Sequence, residues 1–166
     1  APEWGCGGTL AGHAAAGHGV TIVYLTRGER GIPGRSLDEA AAIRTREAEQ
    51  ACRILGATPR FAGQIDGATE INAQQVDRLS ELLKAERPDV LLTHWPVDTH
   101  KDHQVASLLT MRAWMGLGRS LERSGRMLDA AAAYREAAGL APPEAGPRLR
   151  AGIALRKRGK FADSAA

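Results

Sequence analysis

The apolar residues of this chain fall into short runs separated by longer amphipathic stretches. Val20-Thr21-Ile22-Val23-Tyr24-Leu25 is brief, β-branched and nearly all apolar, the pattern of a buried parallel strand. Asp89-Val90-Leu91-Leu92-Thr93 reads the same way, and a short strand is expected around Arg60–Ala62. Helical patterns alternate with these runs. Gly7–Gly17 reads as a glycine-opened helix ended by Gly17 and Gly19. Leu37–Leu55 is a long helix with Ser36 as N-cap and Gly56 as its stop. Asn72–Glu86 carries Val76, Leu79, Leu82 and Leu83 on one face, and Pro88 ends it. Thr26–Ser36 is rich in Gly and reads as a loop. Helix and strand in alternation predict an α/β fold, a parallel sheet with helices packed on it. Ligands bind such sheets at the carboxyl ends of the strands, which puts Thr26–Arg30, Asp66 and His94–His103 on one rim.

From Met111 the pattern changes. Trp114, Leu117, Gly118, Leu121, Gly125, Ala130, Tyr134, Ala137 and Pro142 keep a fixed spacing. Four of these positions recur as Ala151, Gly152, Leu155 and Gly159, at the period of about 34 residues typical of a tetratricopeptide helix pair. The segment resembles one such repeat, Met111–Glu144, and the first helix and turn of another. Two parts are therefore expected, residues 1–110 and an α-helical tetratricopeptide-like tail over 111–166. A tail of this kind implies a protein or peptide partner.

Charge follows the same division. Acidic residues outnumber basic ones through Thr110, basic residues dominate from Met111, and every histidine precedes the break. The basic balance of the chain, +3 over 166 residues, thus comes from the tail, and no aromatic-interleaved basic stripe argues for nucleic acid. No apolar run approaches the roughly 20 residues of a membrane span. Ala1-Pro2-Glu3-Trp4 has neither the basic nor the apolar region of a signal peptide. Two cysteines, Cys6 and Cys52, exclude a disulfide framework and a four-cysteine zinc site. A reducing, cytoplasmic setting is expected.

The densest chemistry lies in Pro96–His103, directly after the third expected strand. Closely spaced imidazoles and carboxylates suit zinc, which takes nitrogen and oxygen ligands and leaves one position for water. Bound zinc lowers the pKa of that water to about 7. A solvated loop is the other reading of this cluster. His94, Asp98, His100, Asp102 and His103 together place five ligand-type side chains within ten residues, enough for a local metal site. His13 and His18 read as surface or cap residues, and Cys6 as a small side chain among glycines. Gly5-Cys6-Gly7-Gly8 is no dinucleotide loop, because Leu10 stands at the third glycine and no strand precedes it.

Several pieces occur in the order found in the LmbE-like (PIG-L-type) zinc-dependent N-deacetylases. Glu3-Trp4-Gly5-Cys6-Gly7-Gly8-Thr9-Leu10-Ala11 resembles the start of that family's first helix, and Leu25-Thr26-Arg27-Gly28-Glu29 its strand-end T-x-GE segment. Arg44-x-x-Glu47 with Leu55-Gly56 resembles its RxxE…LG helix, and His100-Lys101-Asp102-His103 its HxDH motif. The resemblance implies an incomplete Rossmann-like sheet and removal of acetyl groups from N-acetylglucosamine-containing conjugates. It implies zinc as cofactor, with His103 as a ligand, His100 stabilising the oxyanion and Asp102 orienting an imidazole. Arg44 and Asp66 would contact the sugar. The family's HPDD motif, source of two further zinc ligands and the general base, has no counterpart in this sequence. Weak zinc binding and little or no activity are therefore expected of this chain.

Overall fold

The computed structural model describes residues 2–123, with side chains from Gly5 to Gly118. Two compact units emerge. Among the described residues, the first comprises 2–70 with His100–Asp102, and the second comprises Ile71–Thr99 together with 103–123.

The first unit is built on two parallel strands, β1 (Thr21–Thr26) and β2 (Thr58–Gln64), with α1 (Pro2–Ala15) and α2 (Leu37–Leu55). Tyr24 stands opposite Phe61 in the ladder, and their rings stack with centroids 5.3 Å apart. Ile22 and Tyr24 of β1 and Ala48 and Cys52 of α2 form the buried core, with Leu10 of α1 packed against it. The small Ala and Cys side chains let α2 lie close to the sheet. A register shift opposite Tyr24–Thr26 places one extra residue in β2 between Phe61 and Gln64, an irregularity at the end of the ladder.

Local chemistry accounts for the limits of α2. The Ser36 hydroxyl accepts from the Glu39 N–H at 3.2 Å, and the Glu39 carboxylate accepts from the Ser36 N–H at 3.1 Å. This reciprocal capping box satisfies two donors that the first helical turn leaves unpaired. At the other end Gly56 adopts φ +71°, the left-handed conformation that costs a glycine little.

The second unit holds α3 (Ala73–Glu86) and α4 (Lys101–Arg123), whose first two residues belong to the first unit. Asn72 caps α3 by accepting from the Gln75 N–H. Arg87 ends the helix in the left-handed region at φ 49°, its N–H donating to the Leu83 carbonyl. Leu79 and Leu83 are buried as the face pattern requires, while Leu82 and Val76 are half-buried. Between them Ser80 donates to the Ala113 carbonyl of α4 at 3.3 Å, and Leu109, Ala113 and Trp114 supply the buried face of that helix.

One expected element is corrected. Asp89–Thr93 is not a strand, and Val90 and Leu92 are 63% and 53% exposed rather than buried. Among the described residues the sheet has only β1 and β2. A strand is held by ladder hydrogen bonds to a neighbour, and an apolar run without one has no reason to extend. The parallel sheet with flanking helices stands, with two strands in place of three. α4 runs unbroken through residues 110 and 111, and the tetratricopeptide-like pattern from residue 124 onward lies outside the described residues.

The α1–α2 approach generates a stability prediction. An alanine Cβ at Gly56 would sit 3.1 Å from the Ala14 Cβ, whereas one at Gly17, φ +83°, would meet nothing within 4 Å. Gly17→Ala should cost the left-handed backbone penalty of about 1–2 kcal/mol. Gly56→Ala should cost more, by the displacement of α1. Urea-unfolding midpoints measure the difference, and equal losses would show that the contact with Ala14 yields freely.

Candidate functional site

The carboxyl ends of β1 and β2 feed two loops that grip each other. Glu29, only 8% exposed, accepts from the Asp66 N–H at 3.2 Å, and the Asp66 carboxylate accepts from the Arg30 N–H at 3.2 Å. Gly28 and Gly67 both take positive φ, so each loop can turn tightly at this crossing. Arg44 of α2 braces the same loop from the side. Its guanidinium donates to the Gly31 carbonyl at 3.1 Å and pairs with Glu47 at 2.8 Å. The Arg44-x-x-Glu47 spacing is thus an ion pair one helical turn apart, shared with the loop after β1.

Asp102 completes this first cluster. It is buried, and its two oxygens accept from the Thr69 hydroxyl at 2.6 Å and the Gly67 N–H at 2.8 Å. Burial works to raise its pKa. The Thr69 and Gly67 hydrogen bonds outweigh that, with His100 and Asp66 adding in the same direction, and hold the carboxyl below its ordinary value of 3.8. The Asp102 N–H in turn donates to His100 Nδ1 at 3.2 Å. An Nδ1 that accepts carries no proton, so the neutral ring has its proton on Nε2. His100 is thereby oriented as an Nε2–H donor by the first turn of α4.

The second cluster lies in the second unit. His94, Asp98 and His103 each offer a ligand atom, all within 4.8 Å of one another. The His94 and His103 rings stack with centroids 4.1 Å apart, and His103 Nδ1 lies 3.2 Å from the Asp98 carboxylate. Two imidazoles and one carboxylate are the donor types of a zinc site that keeps a position for water. Tetrahedral zinc with bonds near 2.1 Å needs ligand atoms roughly 3.4 Å apart, so a modest side-chain adjustment closes the set.

A family model described as PIG-L: GlcNAc-PI de-N-acetylase matches residues 2–114. The chain belongs to the PIG-L family. Over 118 residues it is 30% identical to a 4-oxalmesaconate hydratase of Pseudomonas putida, covering 66% of this chain and 46% of that protein. The crystal structure of a 4-carboxy-2-hydroxymuconate hydratase from Pseudomonas putida KT2440 matches with a TM-score of 0.62 at 28% identity, covering 66% of this chain and 49% of the other. An N,N′-diacetylchitobiose deacetylase from Pyrococcus horikoshii matches with a TM-score of 0.65 at 26% identity, covering 74% and 48%. The chain spans about half the length of these relatives, and they include both deacetylase and hydratase chemistry.

Of the residues singled out from the PIG-L-type motifs, His100, Asp102 and Asp66 meet in the first cluster, and Arg44 braces the adjoining loop. His103 meets His94 and Asp98 in the second. Glu29 and Thr69 were given no role by sequence, yet they hold Asp66 and Asp102. Glu29 had a signal, its place in the T-x-GE segment. Thr69 had none, since a threonine in a turn-rich stretch looks like any loop residue. His13 and His18 pair with each other at 2.9 Å on the exposed end of α1, in keeping with a surface role.

Because the folded Asp102 pKa is lowered, its contribution to stability is complete above 3.8 and is lost as pH falls through the lower folded value. Thr69→Val removes the 2.6 Å hydrogen bond, so the folded value rises and this acid-side slope flattens. At neutral pH the loss should be about 1–3 kcal/mol, for a buried carboxylate left short of a donor. Urea titrations at acid and neutral pH test both, and an unchanged acid slope would mean that another contact sets the depression.

Proposed function

We propose that this chain carries the histidine-loop portion of a metal-assisted N-deacetylase acting on N-acetylglucosamine-type conjugates. The observation that supports this best is His100, whose Nδ1 accepts the Asp102 N–H while Asp102 is itself held by Thr69 and Gly67. A donor held rigidly before reaction is the requirement for stabilising a tetrahedral oxyanion. The proton on Nε2 supplies that hydrogen bond without needing a charged imidazole. Asp102 is a positioning residue, acting through His100. Asp66, in the loop after β2, and Arg44, on α2 against the loop after β1, are assigned to the sugar, Asp66 as an acceptor for hydroxyls and Arg44 as a donor.

His103 is assigned to the metal, and the imidazole and carboxylate donors around it suit zinc. The metal's chemistry would be to polarise the acetamide carbonyl and to supply water deprotonated near neutral pH. The general base of the family resides in HPDD, which this sequence does not contain. Little acetate release is therefore expected from the 166-residue chain by itself.

A hydratase is the second reading, favoured by the two Pseudomonas putida relatives. Adding water to a carboxylated enol would use the same metal and histidine, but would need cations for the substrate carboxylates rather than acceptors for sugar hydroxyls.

Acetate release from N,N′-diacetylchitobiose decides between them, measured for the chain alone and for the chain extended by an HPDD-bearing segment, both with zinc. Release should appear in the extended protein and fall about 10²–10³-fold in its His100→Ala variant. Hydration of 4-carboxy-2-hydroxymuconate without acetate release would establish the second reading instead.

A further inference from the structure

We propose that His94, Asp98 and His103 form a self-contained site for a zinc-class divalent ion, built from a single ten-residue stretch of this chain. This differs from the set implied by the family resemblance, which takes only His103 from these residues. It does not depend on which reaction the protein catalyses.

Three observations carry it. First, the ligand atoms already lie within 4.8 Å of one another, with all three residues half-buried, so desolvation is partial and a water can reach the ion. Second, the set is pre-ordered. The Gln104 side-chain amide donates to the Asp98 carbonyl, fixing the turn that carries the carboxylate. His103 is anchored in the first turn of α4. Third, the sequence separation is short, so closing the ligand loop costs little chain entropy.

The donor chemistry selects the ion. Two imidazole nitrogens and one carboxylate oxygen suit zinc, cobalt or nickel, whereas magnesium and calcium require a shell of oxygens. Parallel rings direct their in-plane lone pairs along separate planes, so metal entry must turn His94 or His103 out of the stack. Both residues are half-buried, His94 on a loop and His103 at the start of α4.

The test is titration of the 166-residue chain with cobalt(II), followed by its visible d–d absorption and by competition with zinc. One ion per chain is expected, with the intense absorption of a four-coordinate site. His94→Ala and the near-isosteric Asp98→Asn should each weaken binding by more than the about 10–100-fold that loss of an outer hydrogen-bond partner costs. Far-ultraviolet circular dichroism confirms that each variant is folded, and Asp98→Asn preserves shape if His94→Ala does not fold. The double variant His13→Ala/His18→Ala should bind as the parent does, since that exposed imidazole pair is the competing nitrogen donor set. Undiminished affinity in both His94→Ala and Asp98→Asn, or loss in the His13/His18 variant, would overturn the assignment. So would the absence of cobalt binding by the parent chain.

Discussion

The carboxylate of Asp102 is the constraint on which the candidate site depends. A buried anion is tolerated only when its oxygens are satisfied, and here the Thr69 hydroxyl and the Gly67 N–H do so from the loop after β2. That loop is held in turn through Asp66 by Glu29 and the Arg30 N–H, from the loop after β1. One carboxylate therefore ties the first turn of α4 to the carboxyl ends of both strands. Fixing the turn also fixes His100, which caps it.

The arrangement assigns different duties to chemically similar neighbours. Asp102 is committed to backbone and hydroxyl donors within the fold, whereas Asp98 faces imidazoles and is partly open to solvent. His100 accepts through Nδ1 and is set up as a donor, whereas His94 and His103 present a pair of rings beside a carboxylate. Alternation along a short segment of loop and helix start separates His100 and the buried Asp102 from the His94, Asp98 and His103 cluster. No helix among the described residues is long and apolar enough to cross a membrane.

The deacetylase and hydratase relatives show that the framework shared by the PIG-L family serves more than one substrate class. What distinguishes the substrates lies in the groups that face them. Arg44 illustrates the difficulty of reading such groups from a motif. Its guanidinium braces the Gly31 carbonyl and pairs with Glu47, so the motif residue already has a structural role.

Sequence alone determined those features that depend on neighbours in the chain. The Ser36 capping box, the Gly56 stop and the limits of α2 follow from side chains within a few residues of the backbone groups they satisfy. Tertiary structure decided everything that needed a distant partner. Asp89–Thr93 has the composition of a strand, but strand formation requires a neighbouring ladder, and composition does not encode where that neighbour is. Thr69 became indispensable only when folding brought Asp102 to it across 33 residues of chain. The division of the histidine loop into His100 with Asp102 and His103 with His94 and Asp98 was also invisible in spacing. It depends on which direction each side chain takes from a turn and a helix start, and packing alone sets that.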